Sequence, residues 1–180
     1  AFKWLLAIGV LFSLARFSNA FIILKAADSG VPTALIPFVL VGVNLVFSAA
    51  SFPFGKLADH LNPYKLLVLG LCFLITSDMV FAIWNTPWAV ALAIAFFGLH
   101  LGATQGVFSF MVAQHAPEHY RATAFGVFNL LNGCSTLAAG LTAGFLWQYL
   151  GADYTFMAGA LFAAGCLFLL SLLWLRRSAS

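Results

Sequence analysis

Three ionisable side chains, Arg16, Asp78 and His100, interrupt apolar runs that are otherwise long enough to cross a membrane. Charge at that depth costs roughly 3 kcal/mol or more, so such residues usually pair, face an interior and serve function. Arg16 and Asp78 lie at similar predicted depths and could form an ion pair, while His100 has the side chain that titrates nearest to neutral pH. The pattern predicts a polar cavity with a proton-coupling group; a structural ion pair and a hydrogen-bonded packing histidine are the alternative.

Uncharged polar side chains extend this pattern. Ser18 and Asn19 follow Arg16, and asparagines recur in later apolar runs. The candidate cavity or coupling residues are Arg16, Asn19, Asp78, His100, Asn129 and Asn132. Amides within a membrane are also common contacts between helices, worth about 0.6 to 2 kcal/mol each, so helix contact remains open for the asparagines.

Other chemistry has little support in the sequence. His115 and His119 stand four residues apart, but Pro117 interrupts the helix between them and no third ligand is evident. The chain carries no nucleotide-binding, serine-hydrolase or metalloprotease motif. We therefore expect no enzyme activity, no metal and no cofactor.

Composition indicates a protein of the lipid bilayer. Of the 180 residues, 63% are hydrophobic and only 7% are charged, whereas about a quarter of the residues of a soluble domain are charged. The net charge of +3 comes from basic residues scattered singly at the ends of apolar runs, so no nucleic-acid partner is expected.

The apolar runs predict an all-α integral membrane fold, a single domain over residues 1–180. Its six transmembrane helices are placed near residues 3–27, 33–54, 65–84, 87–112, 121–148 and 154–175. An even number of spans puts both termini on one side, together with most of the basic residues: Lys3, Lys56, Lys65, Arg121, Arg176 and Arg177. Lys25 falls on the other side. The positive-inside rule then predicts cytoplasmic termini.

The fifth predicted span carries a stripe of small residues, formed by Gly126, Gly133, Gly140 and Gly144. Spacings of seven, seven and four keep the four glycines on one helix face. Small residues allow the backbones of membrane helices to approach closely, so the stripe predicts helix packing. A smooth face of this kind would also let helices rock against one another.

Residues 55–65, between the second and third spans, read GKLADHLNPYK. Gly55, Leu57, Ala58 and Asp59 match the motif G-x-L-A-D-R-x-G-R-K-x-x-L, so the segment resembles the loop that joins the second and third helices of each half in the major facilitator superfamily. Lys65 keeps one basic residue of that motif. The departures from it are His60, Asn62, Pro63 and Tyr64.

Residues 116–126, APEHYRATAFG, resemble the A-P-E-x-x-R-G-T-A-F-G segment that joins the fourth and fifth helices of a half in drug-efflux-like members of that family. Ala122 is the one departure. Residues 16–26 resemble the seventh helix of such proteins. Together these segments suggest the C-terminal six-helix half, a 3+3 inverted repeat, of a twelve-helix transporter.

The resemblance implies a gating motif formed by Gly55, Leu57, Asp59, Lys65, Glu118 and Arg121. Asp59 would face the start of the fifth span, where the helix dipole favours an anion. With Glu118 and Arg121 it would latch the cytoplasmic side shut in an outward-open state. The alternative is that these charges only fix topology and loop shape.

The function that this resemblance implies is secondary active transport of a small solute by alternating access. The 20 phenylalanines among the 180 residues would suit an amphipathic or lipophilic solute, and phenylalanine that faces lipid is the alternative. We expect proton coupling or another coupling ion, export, and a place in the bacterial cytoplasmic (inner) membrane. The expected partners are the solute, the lipid bilayer and either an N-terminal six-helix half or a second copy. The alternative is a homodimeric or accessory module that serves membrane binding or assembly.

Overall fold

The computed structural model consists of helices and short connections, with no strand in the part of the chain it describes: the backbone of residues 2–116 and 118–178, and the side chains of residues 5–114, 116 and 119–172. Its α-helices are α1 (Phe2–Ala15), α2 (Asn19–Asp28), α3 (Ile36–His60), α4 (Pro63–Ile83), α5 (Pro87–His115), α6 (Arg121–Leu150) and α7 (Ala152–Ser178). Short 3-10 turns, Thr33–Leu35 and Glu118–Tyr120, precede α3 and α6. These helices provide six candidate membrane spans, so the predicted fold class is confirmed.

The hydropathy pattern predicts one continuous helix for the first span, but the structure divides it into two. Residues 16–18 are non-helical, and α1 and α2 lie on either side of them. Ser18 has an extended backbone, with φ of −63° and ψ of 144°, and its Oγ accepts a hydrogen bond from the backbone N–H of Ala20. Serine is among the preferred helix N-caps because its oxygen satisfies such a free N–H group. The first span therefore consists of two shorter helices, and residues 16–18 are called the break below.

The second span is longer than predicted. We placed its end at residue 54 and a loop at residues 55–64, but α3 continues to His60 and only residues 61 and 62 separate it from α4. A glycine inside a helix costs only about 1 kcal/mol, so Gly55 does not stop α3. The effective stop is the Asn-Pro pair, because Asn62 Oδ1 accepts a bond of 3.0 Å from the first turn of α4 and Pro63 opens that helix.

The six spans are buried unequally. The third span packs most extensively against the fourth and the sixth, and the second packs against the fourth. In the most apolar stretch of each span, 56% of residues are buried in the third, but only 17% in the second and 22% in the fifth. Large faces of α3 and α6 thus remain uncovered by the described chain.

The glycine stripe of α6 lies on such an uncovered face. A methyl group built at Gly126, Gly133, Gly140 or Gly144 would meet nothing within 4 Å. The expected close packing is therefore not made within the described part of this chain, because few residues of α6 have a neighbouring helix. Close packing occurs instead between α5 and α3, at Gly98 and Gly102.

Candidate functional site

Two cavities meet at the break in the first span. One, of about 270 Å³, lies between α1, α5 and α6. The other, of about 430 Å³, is lined from the break, α2, α3, α5 and α6. Arg16 and Gln105 line both cavities, which makes them neighbours in one polar space.

A third cavity, of about 680 Å³, extends this space between α3 and α5 toward the predicted cytoplasmic end. It shares Gln105 and Ser109 with the first cavity, and Phe47 with the second. Gly55 and Asp59 lie along its lining. The three cavities, called the groove below, follow spans one, two, four and five.

Arg16 is the charged residue at the deep end of the groove. Its side chain is partly buried, and it makes no hydrogen bond or ion pair with another described residue. In particular, the pair with Asp78 that the sequence suggested is not formed. The break turns Arg16 toward the cavities, whereas Asp78 lies in α4 against α7.

The amides predicted as cavity residues divide into two groups. Asn19 lines the cavity of about 430 Å³ and Asn132 that of about 270 Å³, so the structure places both beside Arg16. Asn132 Oδ1 accepts a hydrogen bond of 3.1 Å from Ser13 Oγ, which joins α6 to α1. Asn129 is exposed on α6 and lines neither of these cavities.

His100 lies behind the wall of the groove. It is fully buried, and its Nδ1 lies 2.8 Å from the Gly70 carbonyl oxygen, so Nδ1–H donates across the α4–α5 contact. Its Nε2 is buried without a hydrogen-bond partner among the described residues. The ring of Phe12, a lining residue of the smallest groove cavity, stacks on the imidazole with centroids 5.7 Å apart.

Asp78 is also set back from the groove. Only 6% of its surface is exposed, and a methyl group at Gly159 would lie 2.8 Å from its Oδ2. The same methyl group would lie 3.1 Å from Phe17, in the break. Asp78 therefore sits between the break and α7, and a role of Asp78 or His100 in coupling stays a prediction.

The predicted gating residues are only partly brought together. Gly55 and Asp59 share the third cavity, while Lys65 lines a separate cleft of about 190 Å³ between α4 and α7, and Leu57 is exposed on α3. Among the described residues, Asp59 has no partner for a hydrogen bond or an ion pair. The side chain of Glu118 lies outside the described residues. The latch between Asp59 and the fifth span therefore stays a prediction.

The role of Lys25 was not predicted from the sequence, where the residue contributed only to the count of basic charges on each side of the membrane. The side chain is completely buried, and its ammonium donates to Asp153 Oδ1 at 2.5 Å and to Asn85 Oδ1. These three residues join the end of α2 to the connection between α4 and α5 and to the start of α7. The sequence did contain a signal for this pair: Lys25 lies near the end of an apolar run, and Asp153 lies at the start of the last span.

Comparison with known proteins agrees with this geometry. Residues 5–180 match the profile of the family described as Major Facilitator Superfamily. An uncharacterized MFS-type transporter of Methanocaldococcus jannaschii is 29% identical over 167 residues. That alignment covers 89% of this chain but 42% of the relative, so the chain spans less than half the length of the relative it matches.

Proposed function

The chain belongs to the major facilitator superfamily, a family of secondary transporters for small solutes in lipid bilayers, and from this premise we propose that it is the C-terminal half of such a transporter and that the groove is its side of the solute pathway. The observation that carries the proposal is the groove itself, which has polar lining residues on spans one, two, four and five and reaches Arg16 at mid-span. Charge and amides inside a membrane protein mark such pathways.

Two further observations support the half-transporter proposal. The chain spans 42% of the length of its transporter relative. The uncovered faces of α3 and α6 lie on two of the spans that line the groove, where a second six-helix unit would close it. A second copy of this chain is the alternative occupant. Sequencing upstream in the gene decides between these two occupants, because a second six-helix segment there would favour pairing with that segment over pairing with a second copy.

The break supplies a physical basis for alternating access. Discontinuous membrane helices occur where transporters bind their solutes, because non-helical backbone is tolerated at membrane depth only beside a cavity or within protein. We propose that α1 and α2 move separately when the groove changes the side it opens to. Export, proton coupling through Asp78 or His100, and the bacterial inner membrane belong to the same proposal.

A cysteine-labelling experiment tests whether the groove is the pathway. In the full gene product, with Cys72, Cys134 and Cys166 replaced by alanine, we expect Gln105→Cys to react with a membrane-impermeant maleimide and transported solute to slow that reaction. Leu161→Cys is the control, because Leu161 is 74% exposed on the apolar surface of α7, where lipid would cover it. Equal labelling of the two positions would falsify the proposed pathway.

Asp59 provides a second test, this time of gating. Because Asp59 is exposed and makes no hydrogen bond or ion pair with a residue that the structure describes, Asp59→Asn should leave thermal stability nearly unchanged. If Asp59 latches another conformation, the same substitution should slow transport or shift the balance between inward-open and outward-open states. Lys56→Gln is the matched control, since the Lys56 ammonium already lies 4.5 Å from the Phe52 ring centroid in its own helix. Unchanged transport at normal expression would show that Asp59 does not form a latch.

A further inference from the structure

We infer that the groove binds solutes through an anionic group held by Arg16, so that the solute class is an amphipathic anion, an acid carried on an apolar body. The inference rests on the proposed function, because it names the solute of that pathway. It uses the charges, hydrogen bonds and ring positions around the break.

Arg16 carries a positive charge that no other described residue balances. Among the described residues that line the two cavities at the break, Arg16 is the only charged one. It has no ion-pair partner among the described residues, and Asp78 lies away against Gly159. A guanidinium that is partly withdrawn from water in a membrane span favours a counter-charge. With no carboxylate in the described lining of either cavity, an anionic solute is the occupant that this charge selects.

The geometry of arginine narrows the chemistry. Its planar, fork-shaped guanidinium binds carboxylates, sulfonates and phosphates through two parallel hydrogen bonds, which a lysine cannot reproduce. The helix end at the break contributes less, because the Ala20 N–H is already bonded to Ser18 Oγ. Anion binding is therefore assigned to the Arg16 side chain rather than to the start of α2.

Amide groups beside Arg16 add hydrogen-bond donors. Because Asn132 Oδ1 is taken by Ser13 Oγ, the Nδ2 amide of Asn132 remains to donate into the cavity. Gln105 is exposed and lines both cavities. Its backbone carbonyl accepts a hydrogen bond of 3.4 Å from Ser109 Oγ, whereas its side-chain amide makes no hydrogen bond with a described residue. Donors from α5 and α6 thus surround the same space as the guanidinium, an arrangement complementary to an oxyanion.

Aromatic rings line the space that the apolar body of the solute would occupy. Phe12, Phe108 and Phe128 line the cavity of about 270 Å³, and Phe17 and Phe47 that of about 430 Å³. Pockets that combine apolar walls with a few placed polar groups orient a ligand by its polar end. An aromatic acid matches both parts of this lining.

The test uses pairs of aromatic probes of similar size, one anionic and one neutral. Binding of benzoate and benzamide, and of benzenesulfonate and benzenesulfonamide, is measured by titration to the full gene product in nanodiscs of zwitterionic lipid. We expect both acids to bind more tightly than their amides. Arg16→Gln should weaken acid binding by about 10- to 100-fold, the loss of a charge-assisted hydrogen-bonding pair, and leave the amides unaffected. Arg16→Lys should retain part of the preference for acids.

Lys56→Gln is the control for net charge, and it should keep the full preference for acids. Equal binding of acid and amide, acid binding that is unchanged in Arg16→Gln, or no acid binding at all would each overturn the inference. In the last case Arg16 would serve as a partner for an acid elsewhere in the assembly. The labelling of Gln105→Cys without added solute needs no known solute, so comparison with Leu161→Cys shows separately whether the pathway itself stands.

Discussion

Replacing Asp153 with alanine should destabilise the bundle by about 3 kcal/mol, at the lower end of the loss expected when a buried charge is left without its partner. The reason is the asymmetry of the pair: the Lys25 side chain is fully buried, whereas the Asp153 side chain is 47% exposed. Without Asp153, Asn85 is the only acceptor that the described residues still offer to the buried ammonium. Lys25→Met should cost less, about 1 kcal/mol, because Asp153 then remains hydrated.

A double-mutant cycle measures this asymmetry. The single variants and the combined Lys25→Met, Asp153→Ala variant are unfolded by heat or by a denaturing detergent. We expect the combined variant to recover most of the loss caused by Asp153→Ala, because no buried charge is left unpaired. Asp28→Ala, an exposed acid at the same end of α2, is the control and should change little. Equal losses in both single variants would show that burial of Lys25 does not control the pair.

Gly98→Ala should destabilise the protein by about 1–3 kcal/mol, although alanine is the better helix former. A methyl group at Gly98 would lie 2.7 Å from Val46 Cβ and 2.9 Å from the Val43 carbonyl oxygen. Because the second contact is to backbone, no rotamer change relieves it. The result would be a separation of α3 from α5, the two helices on either side of the third groove cavity.

Gly140→Ala is the matched control, because it makes the same chemical change on α6, where nothing lies within 4 Å. Thermal unfolding of the chain alone should show a loss for Gly98→Ala and none for Gly140→Ala. In the full gene product the control becomes informative: a loss there would place a partner on the stripe of α6. Similar losses for both variants in the chain alone would contradict the α3–α5 contact.

The sequence predicted which segments cross the membrane, but not how they meet. Hydropathy averaged over a span identifies its length and tolerates three non-helical residues, so the break at Ser18 was missed while both ends of the first span were placed closely. In the sequence alone, the glycine stripe of α6 cannot be distinguished from the pair formed by Gly98 and Gly102. Only the neighbouring helix decides which of them is in close contact.

The candidate site was predicted in part for the same reason. Arg16 and Asn132 carry their own signal, a polar group within an apolar run, and the groove contains both. Lys25 and Asp153 are 128 residues apart, so their pairing depends on how the spans pack and no local pattern reports it. Likewise, the similar depths of Arg16 and Asp78 gave no information about which helix faces they occupy.

The break also determines where the membrane voltage would fall. Non-helical backbone at mid-span needs water or protein partners for its N–H and C=O groups, and the groove can admit water from the predicted cytoplasmic end as far as Arg16. The low-dielectric barrier would then be confined to the length of α2, whose 10 residues span about 15 Å. An anion that reaches Arg16 from the cytoplasm would cross little of the electric field, so its binding there should depend only weakly on membrane potential, whereas its onward movement past α2 should depend on it strongly.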